Sequence, residues 1–218
     1  MWSHLRFSTM SALPLRTMKD IPSISSLYRS MDLSPRAGTP QLVPSANQEL
    51  NDKICTIQED ITVLQVDGIV NAANSGLGGG GGVDGAIHRA AGRGLSKECR
   101  EIGGCFTGSA VITDAYNLPC KKIVHAVGPV FKSYERDEPT LRSCYTKALS
   151  LAVEHNLKTV AFPAISTGVY GYPSDGAAHA ACAAVYTFLT GPKGKGLDKV
   201  IFCNFLDRDV EAYAKHIP

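Results

Sequence analysis

The stretch Asn71-Ala-Ala-Asn74-Ser-Gly-Leu-Gly-Gly-Gly-Gly-Gly-Val-Asp84-Gly-Ala-Ile-His88 decides how the rest of this sequence is read. Before it, Asp67-Gly-Ile-Val70 reads as a short buried strand; after it, the apolar spacing of Ile87, Ala91 and Leu95 predicts one helix over 84–99. The loop therefore joins a strand to a helix. Its glycines, 78–82, admit positive φ and leave main-chain N–H groups uncovered, so a bulky anion can come within hydrogen-bonding distance of the backbone. The helix N-terminus adds a dipole favourable to phosphate. Asn74 and Asp84 flank the glycines with directional polar heads that can fix a sugar or a water beside that anion. The stretch predicts a nucleotide-phosphate pocket with chemistry at one edge.

Other readings of the loop fit less well. Flexible linkers interleave glycine with Ser or charge, whereas this run is closely bounded by an apolar strand and an apolar-periodic helix. Gly80-Gly-Gly82-Val-Asp-Gly85 satisfies the dinucleotide pattern G-x-G-x-x-G, as almost any glycine run does. That fingerprint follows its strand at once and has an acid on a second strand about 20 residues on; here Ser75 to Gly79 intervene and the downstream region still reads as helix. No Gly-Lys-Ser/Thr occurs, so the P-loop pattern fails.

Working outward, short apolar segments alternate with helical ones. Strands are predicted over 53–58, 68–73, 109–114, 122–126, 159–163 and 199–204, and helices over 139–155, 174–190 and 207–216. This alternation predicts an α/β fold with helices on both faces of a largely parallel sheet, and ligands at the carboxyl ends of the strands. A second loop, Phe162-Pro-Ala-Ile-Ser166-Thr167-Gly168-Val169-Tyr170-Gly171-Tyr172-Pro173, also runs from strand to helix. It offers another backbone nest for phosphate, with Tyr170 as a wall for a ribose; as an ordinary turn it would simply pack its Tyr. Two such loops suggest a diphosphate held between them.

Composition sets the bounds. At 218 residues and 23.2 kDa the chain suffices for one domain and a tail. Hydrophobic content of 44% and charged content of 19% fit a globular protein, with no run long enough to span a bilayer. A net charge of +2 gives no support to a nucleic-acid-wrapping surface. Seven scattered cysteines, without C-x-x-C or histidines at zinc-like spacing, read as reduced thiols in a cytosolic type of compartment, and no metal site is expected. Residues 1–45 read as a tail: arginine-containing and acid-free through residue 17, then a segment at 21–31 whose spacing suits a helix docked on the domain edge, then a proline-rich connector. The domain proper is 46–218. Removing the tail is expected to leave ligand binding intact and, where the segment docks, to lower the melting temperature by a few degrees. Localisation is read as cytoplasmic or nuclear, with mitochondrial import as the alternative offered by the first 17 residues.

Taken together, Glu59-Asp60-Ile61-Thr62, Val70-Asn-Ala-Ala-Asn74, Gly79-Gly-Gly-Gly-Val83-Asp84-Gly85-Ala-Ile-His88-Arg-Ala-Ala-Gly92, Thr107-Gly108, Tyr116-Asn-Leu-Pro119, Ile123-Val-His125-Ala-Val-Gly128-Pro129 and Ile165-Ser-Thr-Gly-Val-Tyr-Gly-Tyr-Pro173 resemble the macrodomain family, in its MacroD-type branch. The resemblance runs in order over roughly residues 50–216. It implies a three-layer α/β/α sandwich around a mixed, mostly parallel sheet, binding of ADP-ribose, and hydrolysis that frees mono-ADP-ribose from acidic protein side chains or acetate from O-acetyl-ADP-ribose; the alternative is a module that reads ADP-ribose without cleaving it. By position it implies Asp60 as acceptor for the adenine amino group beside the Ile61 backbone. Asn74 and Asp84 would face the distal ribose, with Asp84 positioning water, either Asp84 or the substrate diphosphate as the base, and His88 supporting the Asp84 loop from the helix. Gly81, Gly82 and Val83, with Ser166, Thr167, Gly168, Val169 and Tyr170, would wrap the diphosphate and that ribose. Phe205, or Leu206 in its place, would wall the adenine. The expected partners are ADP-ribosylated proteins and O-acetyl-ADP-ribose, without cofactor, metal, membrane or nucleic acid, and the expected state is a monomer.

Overall fold

A computed structural model of the chain describes residues 14–32 and 47–217. Most of the acid-free leader and of the proline-rich connector lies outside them. In chain order the elements are α1 (Ile24–Ser30), α2 (Gln48–Lys53), β1 (Ile54–Gln58), β2 (Gly68–Ala72), α3 (Gly82–Ala91), α4 (Arg93–Ile102), β3 (Ala110–Asp114), β4 (Lys122–Ala126), α5 (Tyr134–Glu154), β5 (Thr159–Phe162), α6 (Ser174–Thr190), β6 (Lys199–Asn204) and α7 (Asp207–His216). The six strands form one sheet in the order β1-β6-β5-β2-β4-β3. All neighbours run parallel except β3, which lies antiparallel on the outer edge of β4.

Side chains alternate across each strand, which divides the core between the two faces of the sheet. Val70, Val124, Val160, Phe162 and Phe202 point to the face covered by α5 and α6. Ile69, Ile123, Ala161 and Ile201 point to the opposite face, where Ile87, Ala91, Leu95 and Cys99 of α3 and α4 cover them. The result is the three-layer, mostly parallel arrangement expected from the sequence. None of the described helices is long and apolar enough to cross a membrane.

Two predicted elements differ. The helix predicted over 84–99 is two helices, because Gly92 takes φ 83° and ψ −173° between them. Ile87, Ala91 and Leu95 nevertheless share one buried cluster, so the apolar period continues across the break. The helix predicted to start at Pro139 starts at Tyr134 instead. Ser133 caps it by accepting from the Arg136 N–H at 3.4 Å, while the buried Asp137 carboxylate takes the Lys132 and Ser133 N–H groups at 2.6 and 3.1 Å. Pro139 falls in the second turn of this helix, exposed, just after the turn that these caps hold.

The site is set by one detail of register. Between β2 and β5 only Gly68↔Val160 and Ile69↔Ala161 pair, whereas β2 pairs with β4 through Ala72, and β5 with β6 through Phe162. The two strands diverge toward their carboxyl ends. Chain connections leave β2 toward β4 on one side and β5 toward β6 on the other, so the divergence is a topological switch point, where parallel α/β sheets bind ligands.

Candidate active site

Both loops singled out in the sequence open onto this crevice. The first leaves β2 and enters α3 at Gly82, earlier than the Asp84 start predicted, with Gly81 as N-cap. Positive φ falls at Gly79 and Gly82, and also at the buried Leu77, which anchors the loop to the core. At the start of any helix the first N–H groups lack intrahelical acceptors; here those of Gly82 and Val83 open to the exposed surface at Gly81 and Gly82. An anion can reach them because no Cβ stands in the way at Gly81 or Gly82.

Asp84 is therefore not the N-cap but the third residue of α3, and its carboxylate turns inward, 5% exposed. Its Oδ1 accepts from Asn71 Nδ2 at 2.7 Å and its Oδ2 from Asn74 Nδ2 at 3.2 Å. Asn74 Nδ2 also donates to Gly79 O at 2.7 Å, and its Oδ1 accepts from the Gly78 N–H at 3.3 Å, so one amide ties the glycine loop to the carboxylate. His88, one turn on, places Nε2 3.5 Å from Asp84 Oδ1 and Nδ1 3.5 Å from Ser96 Oγ. The 3.5 Å separation is an ion-pair distance without hydrogen-bond geometry, and Nε2 has no hydrogen-bond partner among the described residues. The fold thus brings Asn74, Asp84 and His88 together.

Behind Asp84 lies a row that sequence reasoning did not assign. Asn71 on β2 and His125 on β4 are direct register partners on the face covered by α3 and α4. The Asn71 amide nitrogen lies 3.1 Å from His125 Nδ1. That nitrogen only donates, so Nδ1 accepts and the ring proton sits on Nε2, 3.0 Å from Thr113 Oγ1 on β3. Thr113 Oγ1 passes its own proton to Asp114 O at 3.1 Å. The row requires neutral His125, and burial, with a smaller contribution from the charge of His88, pushes its pKa down to about 4. The signal for it is visible in hindsight: a polar residue interrupts each of two apolar strands at Val-Asn71-Ala and Val-His125-Ala.

Among the described residues the fold also collects one group of potential metal-binding atoms that sequence spacing conceals. His88, Cys99 and His125 place theirs within 4.8 Å of one another. Both ring nitrogens of His125 are already engaged by Asn71 and Thr113, and burial pushes the Cys99 thiol up to about 11. The trio therefore reads as hydrogen-bonded packing beneath Asp84.

The second loop is equally built. Ser166, buried, takes φ 68°, and its carbonyl accepts the Tyr172 N–H at 2.9 Å, closing the loop. From α7, Arg208 Nη2 donates to Thr167 O at 2.9 Å, and the buried Asp209 carboxylate accepts from Ser174 Oγ at 2.6 Å and Thr167 Oγ1 at 3.3 Å. The N–H groups of Gly168, Val169 and Tyr170 meet no acceptor among the described residues. Val169 is 95% exposed on the rim, and Tyr170 is half-buried and bound through its carbonyl to the Phe131 N–H.

A third corner lies beyond β1. Asp60 accepts the Thr62 N–H and Oγ1 on Oδ1, at 2.9 and 2.7 Å, and Ile61 follows it in the turn. Phe205, just past β6, is 71% exposed against 44% for Leu206, so its ring is the more open of the two candidates. Gln58 Nε2 donates to Phe205 O at 3.3 Å and holds that turn beside β1.

Residues 70–181 match the family model described as Macro domain. A macro domain-containing protein of Chlorobaculum tepidum is 54% identical over 166 residues, covering 76% of this chain and 95% of its own length. The ADP-ribose glycohydrolase MACROD2 of Xenopus laevis is 44% identical over 203 residues, 92% of this chain, which spans 48% of that relative. The solved Trypanosoma brucei macrodomain in complex with ADP-ribose aligns with a TM-score of 0.75 at 37% identity, covering 93% of this chain and 76% of that one. With the family match, these identities and the shared fold all spanning the same strands and loops, the chain belongs to the macro domain family.

Proposed function

We propose that this chain binds ADP-ribose and hydrolyses it from modified proteins, releasing mono-ADP-ribose from acidic side chains, and also deacetylates O-acetyl-ADP-ribose. The observation that carries the reading is the Asp84 carboxylate, buried at the head of the glycine loop and fixed through both oxygens by Asn71 and Asn74. The diphosphate lies between the first turn of α3, at Gly81, Gly82 and Val83, and the free N–H groups of 168–170, with Ser166 and Thr167 shaping that loop. The adenine amino group donates to Asp60 beside the Ile61 backbone, and Phe205 flanks the base. Relatives carrying the name ADP-ribose glycohydrolase and a neighbour solved with ADP-ribose support this assignment.

The chemistry follows from one oriented carboxylate. Water held by Asp84 adds to the anomeric carbon of the distal ribose, the bond from that carbon to the acceptor oxygen breaks, and Asp84 takes the water proton. A Glu or Asp side chain departs as carboxylate and needs no proton, so a single base suffices where ordinary glycoside hydrolysis uses a second carboxyl as acid. In O-acetyl-ADP-ribose the same water adds to the acetyl carbonyl, the bond from that carbon to the ribose oxygen breaks, and the proton taken by Asp84 passes to that oxygen, leaving ADP-ribose and acetate. Incubation with a Glu-linked mono-ADP-ribosylated protein tests the reading: the chain should release ADP-ribose, and Asp84→Ala should lose most turnover while still binding ADP-ribose. Binding without release, even at high concentration of the chain, would overturn it in favour of a reader.

A further inference from the structure

Residues 14–32 wrap the open edge of the sheet. Ser23 bridges to Cys55 on β1, Ile21 enters the core on the α3 side and Ile24 the core on the α5 side, both buried. Nearer the ligand end, Arg16 makes two main-chain bonds to the turn after Asp60: its N–H to Val63 O at 3.0 Å, and its carbonyl from the Gln65 N–H at 2.8 Å. Its Nε donates to Glu59 Oε2 at 2.7 Å, and the other oxygen of Glu59 accepts the Asp60 N–H at 3.0 Å. The Arg16 hydrogen bond, followed by that of the Asp60 N–H, holds the Glu59 carboxyl below the usual range. Glu59 is fixed from its other side by the end of β6, through its N–H to Asn204 O and its carbonyl from Cys203 Sγ, both at 3.3 Å. Its carboxylate is thus the link between the arm and the Asp60 backbone. Thr62 occupies Asp60 Oδ1, so the direction of the remaining oxygen depends on where that backbone sits.

We propose that the N-terminal arm belongs to the base-recognition end of the ligand site, with Arg16 a positioning residue that aims Asp60 at the adenine amino group through Glu59. The proposal rests on the reading of Asp60 given above. It reverses the expectation that the segment is dispensable for binding. Because Arg16 and Glu59 remain partly exposed, at 41% and 22%, the effect has the size of a surface ion pair, about two- to fivefold in affinity.

The test compares ADP-ribose with its hypoxanthine analogue, which lacks the amino group, by calorimetry on the full chain. Wild type should prefer ADP-ribose. Arg16→Ala should weaken ADP-ribose about two- to fivefold, leave the analogue unchanged and put the loss on KM rather than kcat. Glu59→Gln should do the same, and the double variant should lose no more than either single one. Equal weakening of both ligands would mean a merely structural arm, and an undiminished preference in both single variants would remove the link; either result overturns the proposal. A wild type that shows no preference sinks instead the Asp60 reading on which it rests.

Discussion

Gly85 sits in the first half of α3, where helix propensity alone would make Gly85→Ala stabilising by roughly 1 kcal/mol. The contacts predict the opposite sign. A Cβ built there lies 2.2 Å from Gly80 O, 3.2 Å from Gly80 C and 3.0 Å from Arg89 Nη1. The arginine tip can swing away, but Gly80 is backbone in a loop pinned by Asn74, so reaching an ordinary contact requires a shift of about 1 Å between α3 and the glycine loop. Overpacking of this kind costs about 1–3 kcal/mol, which exceeds the propensity gain and leaves the melting temperature lower by up to several degrees in a domain of this size. The larger effect falls on function, because Gly80 lies against Asp84 Oδ2, and misplacement by about 1 Å near reacting atoms costs on the order of 100-fold in rate. Thermal unfolding and single-turnover release of ADP-ribose measure the two effects side by side. A Gly85→Ala protein that melts higher and turns over within about threefold of wild type would refute the reasoning.

Further outcomes follow from the buried row and the thiols. Asn71→Ala removes both donors at once, leaving Asp84 Oδ1 and His125 Nδ1 without them; it should cost about 2–4 kcal/mol in urea unfolding and roughly 10- to 100-fold in kcat/KM. For His125 the unfolded ring takes up a proton near pH 6.5 and the folded one only near 4, so its contribution, up to roughly 3 kcal/mol, is complete above pH 6.5 and drains away as pH falls toward 4. The melting temperature should fall as pH is lowered through that window, and His125→Gln should flatten that slope. Six cysteines are buried and Cys105 is not, so an aromatic disulfide reagent at pH 8 should label one thiol in native protein and the rest only on unfolding.

Much of this architecture could be read from local pattern, and what escaped did so for definite reasons. Alternating apolar segments located every strand of the sheet, and Asn74, Asp84 and His88 lie together because they belong to one loop and one turn of helix. Gly92 was hidden because the apolar period continues through it while the backbone does not. The early start of α5 depends on Asp137 reaching back to Lys132, a cap inside the helix rather than before it. Asn71, His125 and Thr113 come from three strands, and only their register aligns them. Arg16 is further removed, 43 residues before the Glu59 it grips, and no local pattern encodes such a pairing.

The two-pair contact between β2 and β5 bears on how the molecule breathes. Above Ile69 and Ala161, no backbone ladder among the described residues crosses from the β1-β6-β5 half of the sheet to the β2-β4-β3 half. A diphosphate gripped by one loop from each half would fasten this seam like a clasp. At a hundredfold excess over Kd such a ligand adds about 2.7 kcal/mol of stability. The slowed amide exchange should concentrate along the parting edges, at Val70 to Ala72 and at Phe162, rather than spread evenly through the core.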